Sequence, residues 1–243
     1  MIAGDVMARP SIRGVLFDKD GTLIDYQASW APTNLGAGRL AAQGDTELAA
    51  RLLTIAGVDP ATGYATSDGL LASGNTEDVA QAWVEAGARF GMTELTDRLD
   101  TLFRSAVVAA VPVCDLATLF ASLADRGLAL GIASSDSEAA VTATAERFGL
   151  ESHLVFQCGY DSGHGAKPER GMVDGFCAAT GLAADAVAVV GDSSHDMHMA
   201  AAAGAGLRVA VLTGAGSAET LRPLSHLLLP SIATLEQIWP GVQ

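Results

Sequence analysis

Basic residues are scarce in this sequence: 14 Lys and Arg stand against 28 Asp and Glu, a formal charge of −14. Surfaces that bind nucleic acid or anionic lipid need clustered Lys and Arg, so neither partner is expected. Aromatic residues make up only 5% of the chain, too few for base-stacking platforms. Cysteine is limited to Cys114, Cys158 and Cys177, an odd number without framework spacing. That usage reads as reduced thiols in a cytoplasmic protein. Long apolar runs are missing as well. The alanine-rich stretches are broken by Gly and charged residues well short of the about 20 residues a membrane span requires. Met1 to Arg13 includes Asp5 and Pro10 and lacks the apolar stretch of a signal peptide.

Apolar content, by contrast, is ample. Hydrophobic residues form 49% of 243, which supports a sizeable core and argues against disorder. At about 150 residues per domain the length corresponds to one or two units. The acidic balance sets a problem, because any anionic substrate would meet a repulsive field.

Six short apolar runs end in polar or Gly-rich residues: Ile12–Phe17, Leu128–Ala133, Leu154–Gln157, Ala186–Val190, Leu207–Leu212 and Leu224–Leu229. Their length suits strands buried on both faces of a parallel sheet. Helical patterns lie between them. Asp115–Asp125 carries an apolar stripe stopped by Gly127; Ser137–Phe148 follows Asp136, a good capping residue; Glu169–Thr180 starts after Pro168; Met197–Ala203 closes at Gly204. This alternation implies an α/β fold with a doubly wound, mainly parallel sheet. One interval breaks it. About 110 residues separate the first two strands, with helical patterns at Leu35–Gln43, Asp45–Ala56, Thr76–Phe90 and Glu94–Ala109. The expected organisation is a core of residues 1–24 and 111–243 with a helical cap domain, 25–110, inserted above the strand ends where ligands bind.

The first strand runs into Phe17-Asp18-Lys19-Asp20-Gly21-Thr22-Leu23. Two carboxylates at the mouth of a parallel sheet precede a Gly-Thr turn, where successive N–H groups can converge on an anion. The second strand ends in Gly131-Ile132-Ala133-Ser134-Ser135, Gly165-Ala166-Lys167-Pro168 enters a helix, and the fourth strand delivers Val190-Gly191-Asp192-Ser193-Ser194-His195-Asp196. In this order these segments resemble the four motifs of the haloacid dehalogenase-like superfamily, whose phosphatase members carry Asp-x-Asp-Gly-Thr. The likeness covers residues 12 to 24 and 111 to 230 and implies a Rossmann-like core.

The resemblance implies a chemistry. Phosphate monoesters are dianions, so a carboxylate nucleophile approaches only if cations neutralise them. Mg²⁺, which prefers oxygen ligands, is the expected cofactor, held by the Asp18 carboxylate, the Asp20 carbonyl and Asp192, with Asp196 supporting its waters or the lysine. Asp18 is the expected nucleophile, forming an aspartyl-phosphate, and Asp20 the acid and base. Ser134 and Lys167 are expected to hold the phosphoryl oxygens, with Lys19, Gly21 and Ser135 as further phosphate contacts. Ser135 is also the alternative to Ser134. The implied substrate is a small anionic phosphate ester, phosphoglycolate being the single best guess; Arg39, Arg51, Arg89 and Arg104 are candidate carboxylate partners for it. The expected assembly is a monomer or homodimer.

Several features compete with this assignment. Dehalogenases lack the second Asp as acid and base, so Asp20 speaks against that activity. Mutases of the β-phosphoglucomutase type share the catalytic set, but typically carry an acidic residue where this chain has Gly191. An inactive phosphate-binding module would be expected to have lost at least one catalytic position. His195 and His198 near Asp192 suggest a transition metal, although the oxygen-rich set suits Mg²⁺ better. His164 lies close to Lys167 but reads as a loop residue. Gly214-Ala215-Gly216 looks like half a dinucleotide fingerprint, yet Glu219 stands where its third Gly would fall. Lys19 replaces the apolar residue usual at that position, and its side chain is expected to reach towards cap or substrate.

Overall fold

All six apolar runs become strands of one sheet in the computed structural model, which describes residues 12–66 and 69–238. The strands are β1 (Gly14–Phe17), β2 (Ala129–Ala133), β3 (Leu154–Cys158), β4 (Val187–Gly191), β5 (Leu207–Val211) and β6 (Leu227–Leu229). Their order is β3-β2-β1-β4-β5-β6, with every pairing parallel. Parallel strands need a crossover between neighbours, and helices supply it on both faces, so β1 and β4 are buried throughout. The chain builds outward from β1 to β3, then returns to β4 on the other side of β1. This reversal separates the loops after β1 and β4 and opens a crevice at their carboxyl ends.

The interval between β1 and β2 is helical. It contains α1 (Tyr26–Ala41), α2 (Thr46–Ile55), α3 (Leu70–Ser73), α4 (Thr76–Glu85) and α5 (Met92–Ala106). Asp25, Asp45 and Asn75 cap three of these, each side chain accepting from a backbone N–H in the first turn. The helices bury a hydrophobic cluster of their own around Trp30, Leu52, Trp83, Leu95 and Leu99. The indole of Trp83 is fully buried and donates to the Leu52 carbonyl, so its one polar atom is satisfied. Helix α1 begins well before the expected Leu35, running through Pro32. Proline cannot donate to the carbonyl four residues back, but Pro32 is exposed, where water can take that carbonyl.

The remaining helices are α6 (Leu116–Asp125), α7 (Glu138–Phe148), α8 (Gly171–Thr180), α9 (Ser194–Ala203) and α10 (Ala218–Leu221). One sheet face packs Phe17, Leu130 and Val190 with Phe120, Leu123 and Val141; the other packs Leu16, Ala133 and Val189 with Phe176 and Met199. The N-cap of α7 is Ser137 rather than the expected Asp136, whose side chain is engaged elsewhere. The segment expected to lack a signal peptide, Met1 to Arg13, lies mostly outside the described residues. Among the described residues no helix is long and apolar enough to cross a membrane.

Candidate active site

The carboxyl ends of β1, β2 and β4 bring Asp18, Ser134 and Asp192 into one crevice, and the loop before α8 adds Lys167. A cavity of about 630 Å³, open mouth included, is lined by Asp18, Asp20, Ser134, Ser135, Lys167, Asp192 and Asp196 from the sheet side. Lys167 Nζ donates to Asp18 Oδ1 and to Asp196 Oδ1, both at 2.6 Å, and all three residues are buried. Asp18 Oδ2 is buried with no protein partner. Asp196 Oδ2 accepts from the Ser193 N–H and hydroxyl in a capping box at the start of α9. One carboxylate therefore secures the helix and orients the lysine. Asp192 is not the cap of that helix; Ser193 is.

The loop after β5 wraps around Asp192. Ala215 N–H donates to Asp192 Oδ2 at 3.0 Å, and a Cβ on Gly214 would stand 1.7 Å from the same oxygen. Gly214-Ala215-Gly216, which in sequence looks like half a dinucleotide fingerprint, is thus a cradle for a buried carboxylate. Gly21, at φ +85°, has its own close approach to Asp192 and donates its N–H to Ile24 O. Ser134 Oγ accepts from Asp136 N–H at 3.1 Å, which leaves the hydroxyl proton available to the cavity; Ser135 lines the cavity beside it.

The profile of the haloacid dehalogenase-like hydrolases matches residues 12–204. The chain belongs to that family. No curated protein sequence matches this hydrolase. Among solved structures, one described as a predicted phosphoglycolate phosphatase from Haemophilus somnus 129pt is 16% identical with a TM-score of 0.71, covering 94% of this chain and 98% of that one. CbbY from Rhodobacter sphaeroides in complex with phosphate is 17% identical with a TM-score of 0.70, covering 92% and 96%. A hydrolase from Pseudomonas syringae is 19% identical with a TM-score of 0.62, covering 93% and 99%. At these identities the structures share the fold.

The electrostatics of the hydrolase's crevice are unbalanced. Asp18, Asp192 and Asp196 bring one oxygen each within 4.8 Å of one another, all buried, with a single lysine among them. Burial pushes the Asp18 carboxyl up to about 7; Lys167 opposes this, while Asp196 and Asp20 add to it. Burial, with Asp18 and Asp196 close by, drives Asp192 well above the usual carboxylate range. Burial works against the charge on Lys167, but Asp18 and Asp196 outweigh it and hold the ammonium above its ordinary range. Three carboxylates and one ammonium, with one carboxylate oxygen left unpartnered, fit an oxygen-preferring divalent cation. The group includes neither His195 nor His198, and His164 packs at a tilt against Phe156, 5.4 Å between ring centroids, outside the cavity lining.

The sequence contains two lysines, and both lie here. Lys19 is fully buried and does not line the cavity; its Nζ is 2.5 Å from Asp20 Oδ2, 3.1 Å from Asp136 Oδ2 and 5.0 Å from the Trp30 ring centroid. Burial disfavours its charge, yet Asp20 and Asp136 raise it above the ordinary lysine range. Trp30 Nε1 donates to Asp20 Oδ1 at 2.7 Å, so each oxygen of Asp20 is fixed. Trp30 and Asp136 escaped sequence reading. No motif marks Trp30, and Asp136 resembled a helix cap. None of Arg39, Arg51, Arg89 and Arg104 lines the cavity.

Proposed function

We propose that this hydrolase is a Mg²⁺-dependent phosphomonoesterase acting on a small phosphate ester through an aspartyl-phosphate on Asp18. One observation carries the reading: Asp18 is held through Oδ1 by Lys167, keeps Oδ2 unpartnered, and shares its crevice with Asp192 and Asp196. Asp18, Asp192 and the Asp20 carbonyl would hold Mg²⁺, which when bound supplies positive charge against the phosphate dianion.

In the first step an Asp18 carboxylate oxygen forms a bond to phosphorus while the ester P–O bond breaks. Asp20 gives the leaving oxygen its proton. In the second step water attacks phosphorus, Asp20 takes its proton, and the bond to Asp18 breaks to release inorganic phosphate. Each Asp20 oxygen accepts one bond from Trp30 or Lys19, and the remaining lone pairs serve the transfer. Ser134 and Lys167 hold the phosphoryl oxygens. Residues 25–110 act as a cap that excludes water and contacts the leaving group.

Hydrolysis is favoured over phosphosugar mutase activity at position 191. A Cβ there would stand 2.3 Å from Asp196 Cγ, so the backbone conformation has no room for the acidic residue associated with mutases. The test is release of phosphate from p-nitrophenyl phosphate, with Mg²⁺ and with EDTA. Turnover that needs Mg²⁺ and vanishes in Asp18→Asn is expected. No turnover by the wild-type protein with metal present would refute the assignment.

A further inference from the structure

The cavity above Asp18 has walls of two kinds. The sheet side carries the carboxylates, the serines and Lys167 described above. The opposite wall comes from the helices after β1 and is built of Trp30, Leu71, Val79 and Phe103, with neutral polar groups among them. Trp30 and Phe103 meet edge to face, ring centroids 6.1 Å apart. The wall's polar groups are engaged in part by the protein: Asn34 Nδ2 donates to Gly63 O, the Tyr26 hydroxyl donates to Leu71 O, and Asn75 Oδ1 accepts from Asp78 N–H.

Among the described residues no cation belongs to this wall. Residues 25–110 contain neither Lys nor His, and their five arginines are Arg39, Arg51, Arg89, Arg98 and Arg104. All five are exposed and none lines the cavity. Arg51 donates to Ala86 O, Arg89 pairs with Asp45, and Arg98 pairs with Glu94. Lys19 is buried behind the cavity with its charge shared between Asp20 and Asp136. Asp20 and Asp136 themselves line the cavity and repel a second negative charge.

Resting on the phosphomonoesterase reading, we propose that the alcohol released is uncharged, with an apolar or aromatic face laid against Trp30, Val79 and Phe103. Esters whose leaving group carries a carboxylate or a second phosphate, phosphoglycolate among them, are rejected. Such a group would be desolvated against apolar side chains without a countercharge, which is discrimination by an unfavourable contact. The phosphate itself is recognised because its charge meets Lys167 and the metal site on the opposite wall.

The test compares kcat/KM, with Mg²⁺, for phenyl phosphate and 4-carboxyphenyl phosphate, a pair differing by one carboxylate. Phosphoglycolate and phosphocholine are measured beside them. A preference for phenyl phosphate of about 100-fold is expected, the order of loss for a buried charge without a partner. Leu71→Arg puts a cation on the apolar wall and is expected to narrow that preference at least about tenfold. Equal or faster turnover of the carboxylate ester overturns the proposal, as does phosphocholine emerging as the best substrate. Turnover of none of the four by the wild-type protein removes the phosphomonoesterase reading itself, and this proposal with it.

Discussion

Replacing Lys19 by methionine removes the ammonium shared by two carboxylates while roughly keeping the side chain's length. Lys19 is fully buried, the Asp136 side chain is 9% exposed and the Asp20 side chain 18%. Solvent therefore screens neither carboxylate well once the cation is gone. Breaking a buried ion pair from one side costs about 3–5 kcal/mol, because the surviving charge is left without compensation. For a chain of this size each kcal/mol shifts the thermal midpoint by about 2–4 °C, so a fall of order 10 °C is expected. Circular dichroism at pH 7.5 with Mg²⁺ measures it. The double variant Lys19→Met with Asp136→Asn removes one of the two orphaned charges and is expected to regain a substantial part of the loss. Activity is expected to fall in the single variant, since Asp20 loses the group that fixes Oδ2. A midpoint within about 1 °C of wild type, unchanged by the second substitution, would refute the view that Lys19 neutralises a buried pair.

Four further outcomes follow from the same geometry. In EDTA, stability is expected to fall as pH rises from about 4 through about 7: the native protein keeps a proton on Asp18, and the unfolded chain has released it near 3.8. Mg²⁺ is expected to raise the thermal midpoint more at pH 8 than at pH 5, and a pH-independent metal effect would contradict this. Gly214→Ala forces a methyl group into Asp192 Oδ2, so the Mg²⁺ concentration for half-maximal activity is expected to rise about 10–100-fold in a metal titration. Trp30→Phe removes the donor to Asp20 Oδ1 and is expected to lower kcat about tenfold, read by steady-state kinetics beside an unfolding curve.

Much of the core was legible because its signals are local. Inner strands such as β1 and β4, buried on both faces, must be apolar at consecutive positions; the edge strands β3 and β6 are only part-buried, yet their apolar runs also become strands of the sheet. Helix ends were less legible. Pro32 concealed the first half of α1, since proline usually ends a helix, but its exposure makes the missing bond tolerable. Asp136 fits a capping position in sequence, and only its neighbour Lys19, 117 residues away, shows that its carboxylate is used otherwise. Gly214-Ala215-Gly216 was conspicuous as a pattern, yet the reason for it is a carboxylate 23 residues earlier in the chain.

By itself, the order of apolar runs and polar strand ends determined an α/β sheet with a helical interval after the first strand. The four motifs, again by sequence alone, marked Asp18, Asp20, Ser134, Lys167, Asp192 and Asp196 as one set. Tertiary structure decided the rest. It gathered three carboxylates in one crevice with Lys167 bonded to two of them, seated Trp30 against Asp20, and directed every arginine of the helical interval to solvent rather than into the cavity. The physical reason is range. Hydrophobic periodicity acts over a few residues and is written along the chain, whereas the field inside a crevice depends on which distant side chains packing brings within a few ångströms. The scarcity of positive charge in the sequence thus has a local meaning: its two lysines stand at the crevice, and none of its described arginines lines the cavity.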